Sequence, residues 1–148
     1  MNLQEKLAQE IKAAMIARDA ERLGPLRLLK SALGYAQIDG QVDSIPDAEF
    51  VALTQKEIKK RRDSVEQFEN GGRRELADKE KREIAVLETF LPQPLSAGDL
   101  EQLIRGVIQE LGASSKKSMG PVIKAVQGKA AGRADGKTIS SAVAKLLP

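Results

Sequence analysis

A glycine-spaced basic segment near the C-terminus has the residue types and spacing closest to those of a phosphate-binding site. It reads Gly132-Arg133-Ala134-Asp135-Gly136-Lys137-Thr138. A Walker phosphate loop has four residues between its glycines and follows a strand, whereas this segment has three and follows no strand pattern. The sequence therefore argues against nucleotide hydrolysis. It leaves open a helix N-terminus that holds one phosphate of a larger ligand, or simply a capped helix after a turn.

Glycines recur every four residues in this region, at Gly128, Gly132 and Gly136. The sequence predicts a connector over 128–136, in which each glycine lets the backbone turn or approach another group closely. Three cations flank the predicted helix N-terminus and could help it to hold a phosphate group: Lys129, Arg133 and Lys137.

Positive charge is concentrated in the last third of the chain. Residues 1–95 carry 16 basic and 17 acidic side chains, whereas residues 96–148 carry 8 basic and 4 acidic ones. Such asymmetry favours an anionic partner, with nucleic acid the first choice. The predicted RNA-binding residues are the seven cations of 112–148, which are Lys116, Lys117, Lys124, Lys129, Arg133, Lys137 and Lys145.

The composition limits the chemistry that this chain can perform alone. It contains no His and no Cys, which excludes an imidazole base, a thiolate nucleophile and the usual N/S zinc site. Carboxylate pairs such as Glu80/Glu83 and Asp99/Glu101 occur, but nothing around them in the sequence indicates burial or tuning. We therefore predict no catalytic residue, no metal ligand and no cofactor.

The elements that position these residues are predicted to be helices throughout, because no alternating strand pattern is present. Asn2 with Glu5 is typical of a capping box, and Asp19 can cap a second helix with Pro25 in or near its first turn. A third helix is predicted from about Asp47 to Phe68. A fourth, ending near Phe90, directs four apolar side chains toward a core: Leu76, Ile84, Leu87 and Leu91.

The third helix contains a basic run, Lys56-Glu57-Ile58-Lys59-Lys60-Arg61-Arg62-Asp63. In isolation the run resembles a nucleic-acid patch. Opposite charges lie four residues apart, however, in Glu57 with Arg61, Lys59 with Asp63 and Arg62 with Glu66. The sequence therefore favours a solvated helix face over a binding site.

Two prolines in Leu91-Pro92-Gln93-Pro94-Leu95 break the fourth helix and mark the domain boundary. Beyond them, Ser96 and Asp99 indicate a helix that ends at Gly112. A short helix is predicted around 119–127, and Asp135 caps a last helix. The predicted fold is all-α, with an N-terminal domain of about four helices over 1–91 and a three-helix bundle over 96–148.

Several stretches of the chain together resemble the YqeY group of the GatB/YqeY family, over essentially the whole length. These stretches are Arg27 to Leu33, Gln55 to Ser64, Phe90 to Ser96, Gly112 to Ser114, Met119 to Val122 and Gly132 to Lys137. The resemblance implies an N-terminal helical domain followed by a small three-helix domain.

That small domain is similar to the tail of the B subunit of glutamine-dependent aspartyl/glutamyl-tRNA amidotransferase. The resemblance implies contact with tRNA by the tail, whereas amide transfer belongs to parts that this chain lacks. The corresponding positions here are Lys124, Gly128, Lys129, Arg133, Asp135 and Lys137. The last helix of the family usually carries Asn where this chain has Ser140.

These observations favour an accessory protein that binds tRNA or another structured RNA, with no DNA partner expected. Residues 96–148 lack aromatic side chains, so contacts should go to phosphates rather than to stacked bases. The alternative is a protein-interaction adaptor with an apolar patch of Met119, Pro121, Val122 and Leu147. No stretch approaches the ~20 apolar residues of a membrane span, and no signal peptide is visible, so a cytoplasmic location is expected.

Overall fold

Seven α-helices and one short 3-10 turn make up the protein, which was analysed as a computed structural model that describes residues 1–148. No strand is present, so the prediction of an all-α fold is confirmed. The chain divides into two compact units, Met1–Leu91 and Pro92–Pro148. No helix combines the length and the apolar character that crossing a membrane requires.

The first unit contains four helices, α1 Leu3–Ile16, α2 Ala20–Gly40, α3 Asp47–Asn70 and α4 Arg74–Glu88. Both predicted N-caps are present. Asn2 and Glu5 form a reciprocal capping box, and the Asp19 side chain accepts a hydrogen bond from the Arg22 backbone N–H. These caps satisfy backbone donors that the first turn of a helix leaves unpaired.

The core of the first unit receives one face of each helix. Its buried residues include Leu7, Ile11, Leu26, Leu29, Leu33, Phe50, Ile58, Ile84, Leu87 and Phe90. The predicted face of α4 is partly wrong, because Leu76 is 39% exposed whereas its neighbour Ala77 is fully buried. Pro25 lies near the first turn of α2, as predicted. The helix begins at Ala20, so the proline stands early in the second turn, where its ring is buried.

The second unit contains three helices, α5 Ala97–Leu111, α6 Met119–Ala130 and α7 Gly136–Leu146, with the 3-10 turn Lys116–Ser118 before α6. Ser96 caps α5, which ends at Gly112 in the left-handed conformation. The three helices share one core, formed by Leu100, Ile104, Val107, Val122, Val126, Ala130, Ile139, Val143 and Leu147.

The prediction that α6 ends near residue 127 is wrong by about one turn. Val122, Val126 and Ala130 follow one another at four-residue spacing, and all three are buried. The packing of Ala130 extends the helix through Gly128, although a glycine inside a helix costs about 1 kcal/mol relative to alanine. The connector is therefore short, and it runs from Ala131 to Asp135.

Candidate functional site

The turn between α6 and α7 forms the centre of the predicted phosphate site. Ala131 and Gly132 lie in the left-handed region, with φ of 48° and 85°. Asp135 then caps α7, and its Oδ1 accepts a hydrogen bond of 2.7 Å from the Thr138 backbone N–H. Because the Asp135 carboxylate already occupies the N-terminus of α7, this geometry supports a capped helix rather than an open anion site.

The three spaced glycines have different roles. Gly132 needs its positive φ, as predicted for a turn. Gly128 lies inside α6 with open space where a Cβ would stand, so the prediction that it turns the backbone or allows a close approach is wrong. Gly136 begins α7, and a Cβ there would lie 3.4 Å from Nε2 of Gln127, a close but side-chain-only contact.

Lys129 is paired within the unit. Its Nζ lies 2.9 Å and 3.1 Å from the two carboxylate oxygens of Glu110, a residue near the end of α5. Both side chains are largely exposed, so the pair contributes little stability and weakens with salt. The carboxylate of Glu110 nevertheless offsets the positive charge of Lys129, which is one of the three cations of the predicted phosphate site.

Arg133 links the turn between α6 and α7 to the proline-containing segment 92–95 by two hydrogen bonds. Its Nε donates a hydrogen bond of 2.9 Å to the carbonyl of Gln93. Its own carbonyl accepts one of 2.9 Å from the Leu95 backbone N–H. Arg133 therefore has a structural role at the start of the second unit, which the sequence did not predict because the partners lie about 40 residues away in the chain.

Five predicted RNA-binding lysines remain exposed, and none of them makes a hydrogen bond or an ion pair. They lie on the 3-10 turn, on α6 and on α7. Lys116 and Lys117 are consecutive in the chain. The five are Lys116, Lys117, Lys124, Lys137 and Lys145.

The four carboxylates of the second unit are all engaged near helix ends or in ion pairs. Glu101 accepts from Arg105 at 2.7 Å, and Glu110 pairs with Lys129. Asp135 caps α7, and Asp99 lies in the first turn of α5, where the helix dipole favours a negative charge. No ion pair therefore neutralises the five lysines, and they share the excess positive charge of the unit with Arg133, whose side chain bonds only to a neutral carbonyl.

Ser140 lies on α7, half-buried. Its hydroxyl donates a hydrogen bond of 3.1 Å to the Lys137 carbonyl within the same helix. Such back-bonding is common for serine inside a helix and satisfies the hydroxyl locally.

The apolar patch that was predicted for a protein partner is not intact on the surface. Val122 is fully buried and Leu147 is 3% exposed, and both belong to the core of the second unit. Because both side chains pack inward at helical spacing, only Met119 and Pro121 remain near the surface.

The basic run of α3 is not a uniformly solvated face. Arg61 is 7% exposed, and its Nε lies 3.1 Å from Oε2 of Glu83 on α4. Its Nη1 lies 3.4 Å from Oε2 of Glu57, the pair predicted from the sequence. Arg62 also pairs with Glu88 on α4, and Lys60 pairs with Glu57.

Glu80 adjoins this cluster, and its pKa is shifted from the ordinary value. Burial raises its pKa above the ordinary 4.5 and the nearby Glu83 raises it further, whereas Arg61 and Lys79 act in the opposite direction. A raised carboxyl pKa is typical of an acid catalyst. Here, however, Glu83 is bonded to Arg61, and the group acts as an ionic link between α3 and α4.

A shallow cleft lies between α1 and α2. Its volume is about 120 Å³, and it is lined by Gln4, Leu7, Ala8, Ile11, Lys30, Leu33 and Gln37. Ligand pockets usually measure about 300–1,000 Å³, so this cleft is small for a substrate.

Several known proteins are similar in sequence to this chain. The chain is 31% identical over 111 residues to altered inheritance of mitochondria protein 41 of Lachancea thermotolerans, which covers 74% of this chain and 59% of the relative. It is 30% identical over 95 residues to an uncharacterised protein of Schizosaccharomyces pombe, covering 64% of this chain and 76% of that one.

A third relative is altered inheritance of mitochondria protein 41 of Pyrenophora tritici-repentis, 25% identical over 145 residues, covering 96% of this chain and 79% of the relative. The names of the first and third relatives describe them as mitochondrial proteins. The chain spans less than two thirds of the length of the Lachancea relative. The cytoplasmic location expected for this chain stays a prediction.

The family comparison covers both units. The model of the family described as Yqey-like protein matches residues 4–147, which is nearly the whole chain. The resemblance found in the sequence is thereby confirmed. The chain belongs to the YqeY-like protein family.

Proposed function

We propose that the second unit binds structured RNA of the tRNA class. Its five unpaired lysines contact the phosphates of the RNA backbone. The observation that carries this proposal is the pairing pattern of the unit. All four of its carboxylates are used at helix N-termini or in ion pairs, whereas the five lysines have no partner. Unpaired lysines on a small rigid bundle attract a polyanion and release its counterions on binding.

The chemistry favours recognition of shape rather than of bases. The aromatic residues of the chain are Tyr35, Phe50, Phe68 and Phe90, all outside the second unit, so no aromatic stacking on bases is available there. Lysine acts as a point charge and lacks the fork geometry with which arginine reads a guanine edge. A folded RNA, which presents closely spaced phosphates, suits such a surface better than a flexible single strand.

The choice of tRNA rests on the resemblance of residues 96–148 to the tail of the amidotransferase B subunit. On that basis we place the protein as an accessory of tRNA-dependent amide transfer. Catalysis of that transfer by this chain alone is not part of the proposal, because the resemblance to that enzyme covers only its tail.

The experiment is a titration of the full-length chain against three fluorescent probes of equal length at several salt concentrations. The probes are a tRNA, an unstructured RNA and a duplex DNA. We expect the tRNA to bind most tightly. With four or five phosphate contacts, the logarithm of its binding constant should fall against the logarithm of salt with a slope of about −3 to −4.

Two results would contradict the proposal. One is the absence of tRNA binding at low salt. The other is binding whose strength does not change with salt, since contacts to phosphate require counterion release. Equal binding to duplex DNA would remove the preference for RNA while leaving the electrostatic contact in place.

A further inference from the structure

Glu110 occupies an unfavourable place for an acid. It lies in the last turn of α5, which ends at Leu111 and has no basic residue in that turn. The C-terminal end of a helix carries partial negative charge, so a carboxylate there is disfavoured unless a cation from another element compensates it. Lys129, in the last turn of α6, supplies that compensation.

The pair that these two residues form is open to solvent. A single ammonium group contacts both carboxylate oxygens of Glu110, with Nζ of Lys129 lying 2.9 Å from Oε2 and 3.1 Å from Oε1. The Lys129 side chain is 46% exposed and that of Glu110 is 64% exposed. Because an exposed ion pair contributes little to stability, another anion can replace the carboxylate at Nζ without disturbing the core.

Lys129 lies beside the turn that carries the other two cations of the predicted phosphate site. This turn separates Lys129 on α6 from Lys137 on α7, and Arg133 lies within it. The Arg133 backbone N–H donates a hydrogen bond of 2.9 Å to the carbonyl of Ala130, which holds the turn against the end of α6. A polyanion that binds Lys129 here therefore meets the carboxylate of Glu110 as well.

Building on the function proposed above, we infer that Glu110 is an intramolecular competitor of the RNA phosphates and limits the affinity of the second unit for RNA. When a phosphate oxygen binds Nζ of Lys129, the carboxylate of Glu110 has to leave that atom and remains nearby as a like charge. Both effects oppose binding, because an ion pair is lost and the carboxylate repels the incoming phosphate.

Glu101 provides a contrast within the same helix. It pairs with Arg105 one turn along α5, at 2.7 Å, and neither residue belongs to the predicted phosphate site. Removing the charge of Glu101 changes the net charge of the unit as much as removing that of Glu110, but it frees no predicted phosphate ligand. A difference between the two positions therefore reports the contact with Lys129 rather than the net charge.

A double-mutant cycle on the full-length chain tests this role of Glu110, with tRNA affinity measured by fluorescence anisotropy over a series of salt concentrations. The cycle consists of the wild type, Glu110→Gln, Lys129→Gln and the double variant, and Glu101→Gln is the matched control. We expect Glu110→Gln to bind tRNA about three- to tenfold more tightly at low salt. Its salt slope should steepen by about one unit, because the contact of Lys129 with phosphate is no longer offset by cation uptake at Glu110.

The gain in affinity should depend on Lys129. When Lys129→Gln is already present, adding Glu110→Gln should improve binding by less than about twofold, because only the long-range effect of one charge remains. Glu101→Gln should give a gain of that smaller size in the otherwise unchanged chain, with an unaltered salt slope.

The outcomes separate this role from the proposed function. A gain in Glu110→Gln no larger than that in Glu101→Gln would overturn the role of Glu110 while leaving RNA binding by the second unit in place. A gain that persists in full with Lys129→Gln would do the same. Absence of tRNA binding by the wild type would instead overturn the proposed function, and the role of Glu110 with it.

Discussion

At the scale of single residues, Arg61 is the side chain whose surroundings say most about the first unit. It is buried, and it bonds to the carboxylate of Glu83 and to both the carboxylate and the backbone carbonyl of Glu57. A buried charge of this kind stabilises a fold only while its partners remain, because each ion was removed from water on folding. The group links α3 to α4 and has no role in the proposed RNA contact.

Replacing Arg61 should therefore be costly. We expect Arg61→Ala to lower the free energy of unfolding by about 3–5 kcal/mol, since two carboxylates lose their buried partner. The neighbouring Arg62→Ala is the control, because the Arg62–Glu88 pair is half-exposed and 3.8 Å long. The control should cost less than about 1 kcal/mol. Urea unfolding of both variants measures the difference, and equal losses would contradict the assigned role.

The stability of the fold should depend on pH through Glu80, which adjoins Arg61 and Glu83. Its folded pKa is raised above 4.5 by burial and by Glu83, so the folded state holds this proton more tightly than the unfolded state does. Stability linked to Glu80 is therefore present below its ordinary pKa and is lost as pH rises through the raised value. Glu80→Gln should raise the melting temperature at pH 7, and the gain should vanish near pH 4. A gain that is constant with pH would contradict this.

The sequence predicts one of the two ion pairs of Arg61. Glu57 and Arg61 lie one turn apart on one helix, so their pairing follows from spacing alone. Glu83 lies on another helix, and its contact with Arg61 depends on how α3 packs against α4. For that reason the run was predicted to be solvated, and the burial of Arg61 was missed.

At the scale of elements, the helix starts were well predicted and the helix ends less so. Asn2, Asp19, Ser96 and Asp135 each cap the expected helix, because capping is a local hydrogen bond between a side chain and the backbone three residues on. The end of α6 was misplaced because the burial of Ala130, a tertiary contact, continues the helix past Gly128.

Substitutions at Gly128 and Gly132 test where α6 ends. Gly128→Ala should raise the free energy of unfolding by about 0.5–1 kcal/mol, because Gly128 is helical and a Cβ there meets open space. Gly132→Ala should lower it by about 1 kcal/mol or more, because a φ of 85° disfavours any side chain. Chemical unfolding of both variants provides the measurement. Losses of the same size at both positions would show that α6 ends before Gly128.

At the scale of the whole molecule, positive charge is divided unevenly between the two units. Residues 1–91 carry nearly balanced charges, whereas residues 92–148 carry twice as many basic as acidic side chains. The sequence alone predicted this imbalance. It could not predict which cations are free, because the partners of Lys129 and Arg133 lie on other elements. Five of the seven cations make no hydrogen bond or ion pair in the structure, whereas Lys129 pairs with Glu110 and Arg133 donates to the Gln93 carbonyl. That these seven residues bind RNA stays a prediction.

Charge reversal within the five lysines tests the central claim most directly. The test variant carries Lys116→Glu, Lys117→Glu, Lys124→Glu and Lys137→Glu in the full-length chain. A matched control reverses four exposed cations of the first unit, none of which makes an ion pair, in Lys12→Glu, Arg27→Glu, Lys30→Glu and Lys59→Glu. Both variants change the net charge equally, so any difference between them reports position rather than total charge.

The measurement is tRNA affinity by fluorescence anisotropy across salt concentrations. We expect the test variant to lose at least about a hundredfold in affinity at low salt and about three units of salt slope. The control should retain most of the slope, with a smaller loss from long-range charge alone. If the two variants bind tRNA with equal affinity and equal salt slope, the second unit is not the RNA-binding surface.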